Sequence, residues 1–182
     1  MFIQTENTPN PEALKFIPGQ LVTAGNPIEC LSITDASCSP LAEELFKIKE
    51  VKGVFLGYDF ITVTKELGAS WEVIKPEILM TMMDFFVSGR SVLQEGHGDL
   101  GDAIEDADPI VREIREIIET KVRPAVAQDG GDIVFKGFVD GIVQLELRGS
   151  CSGCPSSTIT LKNGIENMLK HYVPEVIAVE AV

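Results

Sequence analysis

The run "DIVFKGFVDGIVQLELRGSCSGCPSST" (132–158) decides how the second half of this chain is read. Two apolar, strand-like stretches, 132–139 and 142–148, are separated only by Asp140-Gly141, a pair that favours a tight type I′ hairpin turn. In the second stretch Val143, Leu145 and Leu147 alternate with Gln144, Glu146 and Arg148, so one face should be buried. The hairpin leads into a loop that places Cys151 and Cys154 three residues apart, and a helix is expected over about 156–171, with Ile159, Leu161, Ile165, Met168 and Leu169 mostly inward.

Working outward, Asp108 can cap a preceding helix and Pro109 can open it. Ile110, Ile114, Ile117, Ile118 and Val122 form its apolar face, and it should fail near Pro124 or at Gly130-Gly131. "VIAVEAV" (176–182) can return as a last strand. Helix, strand, strand, helix, strand predicts a small α+β domain over 109–182, with helices covering one face of a three-stranded sheet.

Residues 91–108, "SVLQEGHGDLGDAIEDAD", hold six Asp/Glu and no Lys or Arg, which predicts a flexible acidic linker. His97 stands alone in it and is expected to be solvated. Residues 1–90 predict a second small mixed α/β domain. "ALKFIP" (13–18) reads as a strand and "GVFLGYDFITVTK" (53–65) as two strands joined near Tyr58-Asp59. "SPLAEELFKIK" (39–49) reads as a helix capped by Ser39 and opened by Pro40, with Leu41, Leu45 and Ile48 on one face. A second helix is expected over 71–88, with Trp71, Ile74, Ile78, Met82 and Phe85 as its core stripe. Met80, Met82 and Met83 are read as core filling, not as a soft-metal site.

Composition narrows the function. The net charge is −13 and no basic stripe is visible, so the chain should repel phosphate backbones and anionic bilayers. Its apolar runs are far shorter than a membrane helix needs. No secretory leader or Arg-rich transit segment is recognised, and four irregularly spaced cysteines do not form a secreted disulfide framework. Residues 1–90 hold no GxSxG, HExxH or phosphate-cradling glycine loop, and ordinary enzymatic catalysis is not expected of the chain.

The Cys151–Cys154 loop is the chemical feature. Gly149 and Gly153 allow a tight bend around the sulfurs, and the following helix N-terminus is expected to favour thiolate. Two thiolates suit a soft metal or an iron–sulfur cluster but complete neither. A twofold axis beside the loop would bring two such pairs together around one cluster, provided the thiols are open to the neighbouring copy. Cys30 and Cys38 lie eight positions apart and across the acidic linker from Cys151 and Cys154; they are possible further ligands or a second metal site, but are read as packed thiols, and His171 is read as structural. Asp129 and Asp132 in "AQDGGD" (127–132) are read as helix termination and turn residues, with partner recognition as the functional alternative. A thiol–disulfide oxidoreductase and a zinc-stabilised interaction module remain open.

Residues 122–176, from "VRPAVAQDGGDIVF" to "KHYVPEV", resemble the NifU-like domain, and "TPNPEALKFIPG" (8–19) with "GVFLGYDFITVTK" (53–65) resembles the N-terminal domain of Nfu-type iron–sulfur cluster scaffold and carrier proteins. The resemblance implies a 4Fe–4S cluster (2Fe–2S being possible) shared between subunits, with Cys151 and Cys154 as its ligands. It also implies upstream cluster-assembly proteins and apo iron–sulfur recipients as partners, and an N-terminal domain that assists partner choice or stability. A bacterial cytoplasm is the expected location, or the mitochondrial matrix for a trimmed organellar form.

Overall fold

The computed structural model describes residues 1–94, 108–153 and 155–182, with the side chains of 155–157 left aside. Cys154, His97 and most of the acidic segment lie outside the described residues. The chain divides into two compact units, Met1–Gly101 and Asp102–Val182. The class is mixed α and β, with one sheet in each unit.

The first unit is built on a five-stranded antiparallel sheet. Its strands are β1 (Gln4–Asn7), β2 (Ala13–Ile17), β3 (Ile28–Cys30), β4 (Val51–Leu56) and β5 (Ile61–Lys65), in the order β1-β2-β5-β4-β3. Period-two alternation sends Leu14 and Phe16, Val54 and Leu56, and Ile61 and Val63 into one core. Helices α1 (Pro40–Phe46) and α2 (Trp71–Val87) close it with Leu41, Leu45, Ile74, Ile78, Met82 and Phe85. The Ser39 hydroxyl accepts the Ala42 N–H at 3.2 Å, the cap expected from the sequence. Of the three methionines read as core filling, only Met82 is in the core. Met80 is 65% and Met83 37% exposed, because they lie on the side of α2 that faces away from the sheet.

In the second unit α3 (Pro109–Ile117) passes through a wide π-turn, 118–122, into α4 (Arg123–Gln128). The helical run therefore continues past Pro124. The wider turn puts that proline in the first turn of α4, where its missing N–H is tolerated, and the run stops at Asp129-Gly130. Strands β6 (Gly131–Val139) and β7 (Ile142–Gly149) form the expected hairpin. Asp140 and Gly141 both take positive φ, 52° and 80°, as the type I′ turn demands. A register shift near Lys136 bends β6. Helix α5 (Pro155–Tyr172) then carries the chain over to β8 (Ala178–Ala181), which pairs parallel with β7 and completes the order β6-β7-β8. Val143 and Leu145 are buried as expected, whereas Leu147 is half-buried. Ile159 is 61% exposed and not inward: six residues before Ile165, it points about 120° away from the buried face. No helix among the described residues is long and apolar enough to cross a membrane.

Candidate functional site

Cys151 sits at the junction between β7 and α5, where the hairpin strand hands the chain to a helix. The turn before it is tightly tied. The backbone N–H groups of Ser150 and Ser152 donate to the carbonyls of Gly130 and Gly149, at 3.2 Å in each case. The Ser150 hydroxyl donates to the Asp129 carbonyl, and the Ser152 hydroxyl to that of Gly149 at 2.9 Å. From α5, the Thr158 hydroxyl donates to the Cys151 carbonyl at 3.2 Å. Gly149 and Gly153 take φ of 69° and 78°, the bend that the sequence implied.

The Cys151 sulfur faces inward. Cys151 is 5% exposed and packs in the core of the second unit with Ile133, Val143 and Leu145. Its neighbour is Gly131, where a Cβ would lie 2.5 Å from the sulfur and 2.8 Å from the Arg148 carbonyl oxygen. Only a residue without a side chain fits at the first position of β6, against the cysteine. The "GG" of "AQDGGD" thus has two tasks: the first glycine ends the helix and the second makes room for Cys151.

The expected electrostatics are reversed here. Burial pushes the Cys151 thiol up to about 11; the Ser150 hydroxyl opposes this, and the charges of Asp129 and Asp132 add to it. The thiol, not the thiolate, is favoured in this conformation. Asp132 is itself buried, with Arg123 on both carboxylate oxygens at 2.9 and 3.0 Å. The Arg123 guanidinium also reaches Glu119 at 2.9 Å. Burial works against the Arg123 charge, yet the two carboxylates outweigh it and hold the guanidinium above its ordinary value. Asp132 is therefore a strut joining the helical run to β6, and its carboxylate is committed to Arg123.

The remaining candidates lie elsewhere. His171 is exposed and stacks edge-on with Tyr172 at 5.0 Å. It is near the far end of α5, about 24 Å along the helix from its first residue. Cys30 is fully buried and Cys38 partly so, and both thiols donate to the Asp35 carbonyl, at 3.6 and 3.3 Å. Burial above all, with the adjoining Cys38 thiol, pushes Cys30 up to about 12. Both are packed as expected, and a short 3₁₀ turn, Asp35–Cys38, brings them to the same carbonyl. No group of three or more His, Cys, Asp or Glu that could hold a metal occurs among the described residues. The role of Gly131 was also missed, since a glycine beside a helix stop reads as turn chemistry alone.

Two family descriptions match the chain: "Scaffold protein Nfu/NifU N terminal" over residues 3–89 and "NifU-like domain" over residues 114–180. A Drosophila willistoni protein named "NFU1 iron-sulfur cluster scaffold homolog, mitochondrial" is 50% identical over 184 residues, which take in 100% of this chain and 64% of the fly protein. The Drosophila sechellia protein of the same name is 52% identical over 184 residues, 100% of this chain and 65% of its own length. The chain thus spans just under two thirds of the length of these relatives. A solution structure of a NifU-like protein from Saccharomyces cerevisiae aligns with a TM-score of 0.46 and 30% identity, over 52% of this chain and 86% of the yeast chain.

Proposed function

Because the chain belongs to the Nfu-type (NifU-like) family of iron–sulfur cluster scaffolds, we propose that it holds a cluster between two copies of itself, through Cys151 and Cys154 of each, and passes it to apo-proteins. The observation that carries this reading is the position of the Cys-x-x-Cys pair within the NifU-like match, at a strand-to-helix junction shaped around Cys151 by Gly131. The cluster is cargo. A 4Fe–4S cluster is the assignment the family favours, and four thiolates also suit 2Fe–2S.

The expectation of a thiol open to the neighbouring copy is not met at Cys151, which is 5% exposed in the core, so loading requires a change of conformation. The 149–153 turn opens and the sulfur leaves the space beneath Gly131. Each thiol gives up its proton as it ligates iron, so loading releases protons to solvent. Handover is then exchange of ligands: thiolates of a recipient replace one pair at a time, and the interface between copies separates as they do. Nothing in this sequence of steps makes the chain a catalyst in the ordinary sense. The domain at 1–90 is assigned to partner choice, with 91–108 as its tether to the cluster domain at 109–182. The mitochondrial naming of the fly relatives favours the organellar location over a bacterial cytoplasm, for which they offer no support.

The oxidoreductase alternative needs an accessible, low-pKa nucleophile. A sulfur that is 5% exposed with a thiol pushed up to about 11 is the opposite of that. The test is anaerobic reconstitution with iron and sulfide, followed by absorbance, iron and sulfide content, and sedimentation velocity. A brown dimer with one cluster, and colourless Cys151→Ser and Cys154→Ser proteins, are expected. A zinc-loaded colourless monomer, or full cluster content in Cys151→Ser, overturns the proposal.

A further inference from the structure

Helix α2 is apolar on two opposite sides, and among the described residues only one of them is covered. Ile74, Ile78, Met82 and Phe85 are at most 2% exposed against the sheet of the first unit. On the far side Val73 is 72%, Met80 65%, Met83 37% and Val87 75% exposed, and Pro76 is exposed between them. Core packing accounts for the first stripe and leaves the second without a task. Scattered exposed apolar residues need no explanation, but these are ordered. Val73, Met80 and Val87 are seven residues apart, as are Pro76 and Met83. That is the a and d spacing of a seam that receives another helix. The two methionines give this seam an adaptable surface.

The rail beside the seam selects the occupant. Glu77 and Asp84 follow Pro76 and Met83 directly, are seven residues apart, and are exposed. They hold the positions next to d, where charges set partner choice in helix pairing. Neither carboxylate takes an ion pair among the described residues. A second copy of this chain is a poor occupant: antiparallel pairing of α2 sets Glu77 against Asp84, and each copy carries a net charge of −13. An anionic bilayer is repelled for the same reason. We infer that the outer face of α2 is a docking surface for an amphipathic helix of a partner protein, with apolar residues at heptad spacing flanked by Lys or Arg. At 17 residues α2 is about 25 Å long, so the matching partner segment is four to five turns. The inference concerns the first unit and stands independently of cluster binding at Cys151 and Cys154.

The test uses the full chain and two fluorescein-labelled 18-residue synthetic peptides. Both carry Leu at the a and d positions; one has Lys and the other Glu at the flanking positions. Fluorescence anisotropy in physiological salt is expected to show saturable binding of the Lys peptide only. Met80→Asp should weaken it at least tenfold, and Glu77→Lys with Asp84→Lys should transfer the preference to the Glu peptide. Circular dichroism checks that each variant is folded; Val87→Gln, at the solvent-facing end of the same seam, replaces Met80→Asp if that variant is not. Equal binding of both peptides, no binding of either, or unchanged binding by the seam variants overturns the inference. So does a concentration-dependent dimer in sedimentation velocity that Met80→Asp abolishes, since a second copy would then be the occupant.

Discussion

Gly131→Ala tests whether the site is built around the space beside Cys151. The new Cβ would meet the Cys151 sulfur at 2.5 Å and the Arg148 carbonyl oxygen at 2.8 Å, where unstrained heavy-atom contacts lie at about 3.5–4.0 Å. One obstacle is backbone, and Gly131 is paired with Gly149 across the end of the hairpin, so relief requires the two strands to part. Overpacking of this kind costs about 1–3 kcal/mol, and a backbone obstacle argues for the upper end. Loss of glycine's freedom in the unfolded chain returns about 0.4–1 kcal/mol. The net cost is about 2 kcal/mol, which lowers the melting temperature of a domain this size by roughly 8–16 °C. Differential scanning calorimetry on the full chain measures the shift, and hydrogen exchange by mass spectrometry should place the loss of protection at 130–151. Gly137→Ala, in the same strand, is the control: its Cβ meets only the flexible Gln144 side chain at 3.5 Å, and a change within about 0.5 kcal/mol is expected. If Gly131→Ala melts like Gly137→Ala, the close-packing argument is wrong.

Three further outcomes follow from single residues. Gly164→Ala adds a side chain in mid-α5 with nothing within 4 Å of its Cβ, so the chain should gain up to about 1 kcal/mol in chemical denaturation. Asp132→Asn leaves Arg123 without its main buried partner; because Arg123 is 25% exposed, the cost should be about 2 kcal/mol, below the 3–5 kcal/mol of a fully buried pair, and urea unfolding would show it. Glu146 is held below its ordinary 4.5 by hydrogen bonds from Arg148 and Lys136. Its contribution is therefore complete above pH 4.5 and is lost as the pH falls below that value, so the stability difference between wild type and Glu146→Gln should shrink on acidification in parallel urea titrations.

What the sequence revealed and what it hid follow from where each signal resides. The hairpin was legible because Asp140-Gly141 and the alternation in β7 are local rules that agree. So were the starts of α1 and α3, where Ser39-Pro40 and Asp108-Pro109 combine cap and first-turn residue. Strands β1 and β3 were not legible. They are four and three residues long at the two edges of the first sheet, and "QTEN" and "IEC" become strands only because β2 and β4 offer hydrogen bonds to them. The π-turn at 118–122 was hidden too, since it is a misfit in register and not a composition.

The Cys151 thiol shows the same division in energies. Cys-x-x-Cys before a helix was plain to read, and the helix N-terminus does favour thiolate, but that effect is worth about 0.3–1 kcal/mol, less than one pKa unit. Burial beside Gly131, together with the Asp129 and Asp132 charges, acts the other way and moves the thiol from an ordinary 9.0 to about 11. The larger contribution comes from burial in the core with Ile133, Val143 and Leu145, to which the Asp129 and Asp132 charges add, and no local reading weighs it. It also gives the turn its character. A sulfur stored protonated beneath a glycine offers little to oxidants or stray metals. Under the proposed cluster binding, iron would have to supply the free energy that draws the sulfur out, and that free energy would return when the cargo leaves.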